Sequence, residues 1–364
     1  QFSAAHSAGT PIGSVFVSTA RPQPILTPLT PAAIFIVATI DEGGEERVHD
    51  ALADLSGLVR AVGFRVPTAN LTLVAGIGSE AWDRLFDAPR PDKLHRFVEL
   101  DGGRHTAPST PGDLLLHIRG GTMDVCFELG GRILAAMAGA VTVVDEVHGF
   151  KFFDMRDLLG FVDGTENPNG PDAVLATQIP DGPYAGASYV HVQHYTHDMA
   201  AWNALSVTEQ ELVIGRTKLE DIELDDAVKP TNSHVALNSL TDDDGNDLQI
   251  LRANMPFGSL GDSTSGTYYI AYSADPDITE RMLRNMFIGD PPGNTDRLLD
   301  FTTAVTGSQY YAPPGDFLDD PPPPPGGSAA APAEPTLVAT TTSAAEPTES
   351  SARSDGSLGI GSLH

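Results

Sequence analysis

Cys126 is the only cysteine in 364 residues. No intrachain disulfide can form, and neither a four-cysteine zinc site nor a covalent Cys-x-x-Cys-His haem attachment exists, so a reducing compartment fits. Basic residues are scarce, 21 Lys and Arg against 49 Asp and Glu, for a formal charge of −28. Such a surface repels phosphate backbones and argues against a nucleic-acid partner. It inclines toward cationic or neutral substrates, but its field decays over roughly 8 Å at physiological salt, and solubility is its first consequence. No run approaches the roughly 18 apolar residues that cross a bilayer, which argues against a membrane protein. The first residues, beginning at Gln1, carry no charged, apolar and cleavage regions of a signal peptide, and the expected location is cytoplasmic.

What is present is a composition of the soluble globular kind, 41% hydrophobic, in a chain long enough for two domains or one large one with a tail. Residues 1–31, with Pro22, Pro24, Pro28 and Pro31, read as an N-terminal arm. The β-branched, apolar run 32–40 predicts a buried strand, and Val48, Leu52, Leu55 and Val59 at helical spacing predict a helix over 47–60. Strands at 71–77 and 113–119, a helix over 123–138 and a strand at 141–144 complete a β-α-β-β-α-β order. That order is the split βαβ, ferredoxin-like arrangement with an antiparallel sheet. A second unit follows, with strands at 188–195 and 266–273 and helices at 200–205, 208–215 and 278–287. The expected fold class is α+β, with halves at 32–148 and 149–312.

Beyond Tyr311 the composition shifts to Pro321 through Pro325 and then to Ala, Pro, Thr, Ser and Glu. Such a stretch cannot offset its conformational entropy by burial, so 313–354 reads as a disordered linker. Residues 355–364 carry Leu358, Ile360 and Leu363 spaced by glycines, a pattern suited as an extended peptide to an apolar groove on a partner.

Chemistry enters at Gly160-Phe161-Val162-Asp163-Gly164, followed by the turn Asn167-Pro168. Glycines on both sides of Asp163 permit positive φ and close approach, so the carboxylate sits at a bend. Alone, the segment is more often a turn than a site. Ser233-His234-Val235 and Ile250-Leu251-Arg252-Ala253-Asn254-Met255-Pro256-Phe257-Gly258 follow it. Together and in that order, the three segments resemble the dye-decolourising peroxidases, which carry a Gly-x-x-Asp-Gly motif, a haem-ligating His in a Ser-His-Val setting, and an Arg beside an Asn-Met-Pro-Phe-Gly turn. The resemblance spans roughly residues 30–312. It implies tandem ferredoxin-like halves, haem b (iron protoporphyrin IX) in the second of them, and a homo-oligomer such as a hexamer.

A haem peroxidase needs a proximal ligand, a distal group that moves a proton between the peroxide oxygens, and a cation that stabilises the departing hydroxide. By the resemblance His234 ligates the iron, and Asp163 and Arg252 line the opposite face with Asn254 and Phe257 near them. Asp296 is the carboxylate that the resemblance sets behind the ligand, where it would raise the basicity of the imidazole; before an apolar helix it reads equally as an N-cap. Arg216, in Gly215-Arg216-Thr217-Lys218, resembles a Gly-Arg-x-Lys segment that would pair with a haem propionate, against a bland reading as a base at a helix C-terminus. His194 and His197 match no ligand motif and read as structural or rim residues.

The implied reaction is the reduction of hydrogen peroxide through a ferryl intermediate, with one-electron oxidation of dyes, phenolics or other small donors. Donors too large to enter would need electron hopping, for which Trp202, Tyr268 and Tyr310 are the candidates. Residues 355–364 resemble the cargo-loading peptide by which such peroxidases are packaged, which implies an encapsulin shell protein as partner and a location inside an encapsulin nanocompartment. Two other readings stand beside this one: a haem-binding or iron-handling protein without peroxidase turnover, and an interaction protein whose working part is the tail.

Overall fold

The structure is a computed structural model that describes residues 20–261 and 263–326. Most of the expected arm and linker, and the expected cargo-loading peptide at 355–364, lie outside the described residues. The first half runs β1 (Ala32–Ile40), α1 (Glu45–Gly63), β2 (Thr72–Gly78), α2 (Ser79–Leu85), the short pair β3 (Leu100–Asp101) and β4 (Thr106–Ala107), β5 (Leu114–Gly120), α3 (Met123–Ala136) and β6 (Val141–Phe150). The second runs α4 (Gly170–Thr177), β7 (Ser188–His197), α5 (Met199–Ala204), α6 (Val207–Ile214), α7 (His234–Asn238), β8 (Leu240–Thr241), β9 (Asp247–Leu248), β10 (Leu251–Arg252), β11 (Met255–Ser259), β12 (Thr264–Ser273), α8 (Pro276–Phe287), β13 (Thr302–Ala304), β14 (Ser308–Ala312) and α9 (Gly315–Asp319).

One antiparallel sheet takes the order β10-β12-β7-β14-β2-β5-β1-β6, with β11 added to β12 and β13 to β7. The first half contributes β6-β1-β5-β2 and the second β14-β7-β12-β10. Both place their strands in the sequence fourth, first, third, second, so the split βαβ arrangement occurs twice. The halves join where β14 pairs with β2, Tyr310 opposite Gly78. Six strands of the second half, β8 to β11, β13 and β14, were not expected from the sequence, and neither were α2, α4, α7, α9 and the pair β3 and β4.

Strand β1 is buried on both faces, and its alternation divides the core. Ile34 and Ile36 pack with Val48, Leu52 and Leu55 of α1 and with Val125, Leu129 and Ile133 of α3. Phe35 and Val37 point the other way, into a cluster with Met255, Tyr268, Ile270 and Tyr310. Phe35 stacks on Tyr268 of β12 with centroids 4.1 Å apart, so the sheet curls until residues from its two halves meet. Cys126 is buried in the helical layer, and burial pushes its thiol up to about 12, which leaves it an inert packing residue.

Candidate active site

The acid loop needs both of its glycines. Gly160 and Gly164 take φ of +94° and +85°, and added Cβ atoms would come within 2.5 Å of Lys218 Cε and 2.8 Å of Asn167 Nδ2. Between them the Asp163 N–H donates to the Met155 carbonyl at 2.8 Å. Its carboxylate accepts from Asn254 Nδ2 at 3.1 Å, and Asn254 is itself oriented by accepting from the Ile270 N–H at 2.9 Å. Asn167, read in the sequence as half of a turn, does more. Its Oδ1 accepts from the Arg252 N–H at 2.9 Å and its Nδ2 donates to the Arg252 carbonyl at 2.8 Å. The acid loop and the arginine strand are thereby tied through one amide.

His234 is the first residue of α7, whose N-cap Ser233 accepts from the Ala236 N–H. Asn238 Nδ2 donates to the His234 carbonyl at 2.7 Å. The imidazole Nδ1 lies 2.7 Å from Oδ2 of Asp296, a fully buried carboxylate. The other oxygen of Asp296 accepts from the Leu298 N–H at 2.8 Å. Helix cap and histidine partner, posed as alternatives by the sequence, are one side chain using both oxygens. Nε2 of His234 is the nitrogen that remains without a hydrogen bond among the described residues.

These groups line one cavity of about 450 Å³, in which Asp163, Arg216, His234, Arg252 and Asn254 meet apolar walls from Leu159, Phe161, Ile214, Leu283 and Met286. Asp296 stands directly behind His234. Phe257 is a correction: it does not line the cavity. Strand alternation turns Phe257 to the side of Met255 and away from Asn254, into the core, where it packs edge-on against His194 with centroids 4.5 Å apart. Arg216 lines the cavity with its guanidinium already engaged, Nε to Asp221 at 2.9 Å and Nη1 to Glu166 at 2.7 Å. His197 also lines it, with both ring nitrogens held by Thr302 and Thr267, and burial lowers it to about 4, so it is a neutral rim residue. Trp202, Tyr268 and Tyr310 are fully buried and do not line the cavity; Tyr195 and Tyr269 do.

Asp157 was not singled out in the sequence because no motif contains it. It lines the cavity six residues before Asp163 and accepts from the Phe161 N–H at 3.0 Å. A lone acid beside Leu158-Leu159, so close to a motif carboxylate, is the signal that could have found it. Burial, and then the charge of Asp163, push its carboxyl up to about 7, against the backbone donors at Phe161 and Gly160. Between about pH 4 and 7 the folded chain therefore keeps a proton that the unfolded chain loses, and stability falls as pH rises through that window, levelling off above it. Asp157→Asn keeps the acceptor for Phe161 and removes the charge. It is expected to melt like the parent near pH 4 and several degrees higher at pH 8, for a difference on the order of 4 kcal/mol, as thermal melts across pH would read.

Residues 22–151 match the N-terminal domain, and residues 154–317 the C-terminal domain, of the Dyp-type peroxidase family. The chain is 68% identical over 305 residues to a dye-decolorizing peroxidase of Mycobacterium tuberculosis, covering 83% of this chain and 91% of that one. It is 59% identical over 346 residues to one of Rhodococcus erythropolis, covering 94% and 97%. Among solved structures, the encapsulated DyP-type peroxidase of Mycobacterium smegmatis matches with a TM-score of 0.83 at 67% identity, covering 84% of this chain and 100% of that chain. Matches of this extent over both halves make the protein a peroxide-dependent oxidoreductase. The chain belongs to the Dyp-type peroxidase family, whose members are haem enzymes. The reading as an iron-handling protein finds less support, since deferrochelatases of Escherichia coli are only 23% identical over 292 residues.

Proposed function

We propose that the central cavity seats haem b, with His234 as the proximal ligand and Asp163, Asn254 and Arg252 on the opposite wall. The observation that carries this reading is the 2.7 Å contact of His234 Nδ1 with the buried Asp296, which fixes the tautomer and leaves Nε2 for iron. A largely apolar cavity of about 450 Å³ around the imidazole suits a flat, mostly apolar macrocycle. Structures of a relative from Rhodococcus jostii, 52% identical, are described as complexes with heme. When bound, the haem supplies the redox-active iron at which peroxide is reduced and through which dyes or phenolics give up single electrons.

The chain's own residues would bind, orient and move protons. Asp163, oriented by the Asn254 amide, takes the proton from the inner peroxide oxygen and returns it to the outer one. Arg252, with no ion pair among the described residues, would set its positive charge beside the outer oxygen, where negative charge develops as the O–O bond breaks and before that oxygen leaves as water. Arg216 uses three of its five N–H donors on Glu166 and Asp221, leaving two for a propionate. A spectrum of the purified protein before and after stoichiometric peroxide tests the whole assignment. A Soret band that shifts on addition and returns with a phenolic donor is the expected result; no Soret band after expression with haem supplied would refute it.

The same reading includes halves at 32–148 and 149–312, a linker that runs to 354 from beyond α9, whose Leu318 is buried in the core, and a homo-oligomer, for which a hexamer is the family's precedent. It places the enzyme as cargo of an encapsulin shell in the cytoplasm, held by residues 355–364. An encapsulated relative at 67% identity supports this, as do the glycine-spaced Leu358, Ile360 and Leu363 at the end of a polar linker. Deleting 355–364 is expected to abolish packaging on co-expression with the shell protein while leaving turnover in solution unchanged. Equal packaging of both forms would refute the tail's role.

A further inference from the structure

Helix α8 is a wall between two cavities. Met282, Leu283 and Met286 on its inner face line the central cavity. Asp277, Glu280, Arg281 and Arg284, on the outer face at helical spacing, border a second cleft of about 400 Å³ whose apolar floor is Phe97, Val98 and Leu100. Phe97 and Leu100 are buried in one cluster with Tyr195, Leu283, Met286 and Phe287. The floor of the outer cleft and the wall of the central cavity are therefore the same packed layer. Val98 is 65% exposed, an apolar surface turned to solvent in that cleft.

The charges at this cleft run against those of the chain. In a protein of formal charge −28, several cations are matched to acids, as Arg84 is to Glu45 and Asp113 and Arg90 to Asp83. Here the acids are the satisfied groups. Asp277 is paired with Lys93 at 2.7 Å, and Glu280 with His95 at 2.9 Å and the buried His191 at 3.5 Å. Arg281 and Arg284, one turn apart and exposed, make no ion pair among the described residues; Arg281 reaches only the Thr241 carbonyl at 3.5 Å. Two unmatched guanidiniums over an apolar floor fit an aryl ring bearing an anionic group, since a guanidinium fork matches a carboxylate or sulfonate and also stacks on rings.

We propose that this outer cleft docks an aromatic anion, a phenolic carboxylate or a sulfonated dye, as a one-electron donor to the central site. The assignment rests on the peroxidase reading and gives it a substrate class that the overall charge alone would disfavour. Each docked phenol loses one electron and one proton and leaves as a phenoxyl radical. Two such donors supply the two electrons and two protons with which one hydrogen peroxide becomes two waters. The electron crosses one helix layer, about 10 Å thick, lined by Phe97 and Tyr195, and the donor never enters the central cavity.

Equilibrium titration of the holoenzyme with a sulfonated anthraquinone dye, without peroxide, tests the cleft. Two variants outside the catalytic machinery serve: the double substitution Arg281→Ala with Arg284→Ala, and Val98→Asp, which puts a charge on an exposed position. In both, the dye's Kd is expected to rise at least tenfold, and its KM in turnover by a similar factor. For hydroquinone, small and uncharged, kcat/KM is expected to stay within twofold. An unchanged dye Kd in both variants, or equal losses for dye and hydroquinone, overturns the docking site. If the wild type oxidises neither donor, the peroxidase reading fails, and the dye titration still reports on the cleft by itself.

Discussion

His234→Ala is expected to give a folded protein that no longer retains haem, with the Soret band lost from the purified chain and peroxide-dependent turnover at background. Folding should survive because α7 is held by other groups: the Ser233 cap, the Asn238 bond to the His234 carbonyl, and Asn285 Nδ2 donating to the Leu237 carbonyl at 2.9 Å. The imidazole faces the cavity and contributes little packing to the core. Asp296→Asn separates the two jobs of the carboxylate. The amide keeps an oxygen for the Leu298 N–H and loses the charge behind the imidazole. Haem affinity or activity is expected to fall roughly 10- to 100-fold with the melting temperature nearly unchanged. Asp296→Ala, which also removes the cap, is expected to cost a further 1 kcal/mol or so of stability. A wild-type spectrum and wild-type turnover in Asp296→Asn would leave that residue a cap alone.

Periodicity carried the fold where strands and helices obey it. The strand at 32–40, the helices on Val48 to Leu55 and Met123 to Ala136, and the strand and helix of 264–287 all present one pattern over many residues. It failed where an element is defined by its neighbours. β14 is Ser-Gln-Tyr-Tyr-Ala, buried on every residue, with Ser308 and Gln309 satisfied by Thr110, Glu280 and the His95 backbone. No alternation marks such a strand, yet it joins the halves. β10 is two residues long and owes its position to Asn167, distant in sequence. At the site, motif order brought Asp163, His234, Arg252 and Asn254 to one cavity, because each motif encodes its own backbone. Phe257 failed because a motif fixes order along the chain, whereas the strand's two-residue period fixes direction. The raised carboxyl of Asp157 and the clamp made by Asn167 were illegible, since burial beside another carboxylate, or a bond across 85 residues, exists only in three dimensions.

Arg252→Leu is expected to retain haem and to slow the first spectral change after mixing with peroxide by about 10²- to 10³-fold, the usual loss on removing one preorganised charge stabiliser. The variant is informative because Asn167 grips the main chain of Arg252 at both N–H and carbonyl and leaves the guanidinium alone to be removed. Asp163→Asn is the complementary change, replacing the proton carrier while keeping an oxygen for the Asn254 amide. If acid and cation act on the same peroxide, the double variant should be scarcely slower than the worse single variant, since groups that act as a unit are not additive. Fully additive losses would mean that the two serve separate steps, with Asp163 moving the proton in one and Arg252 answering the charge in another. An Arg252→Leu rate equal to wild type would remove the guanidinium from the chemistry and leave proton movement by Asp163 as the protein's whole contribution on that wall.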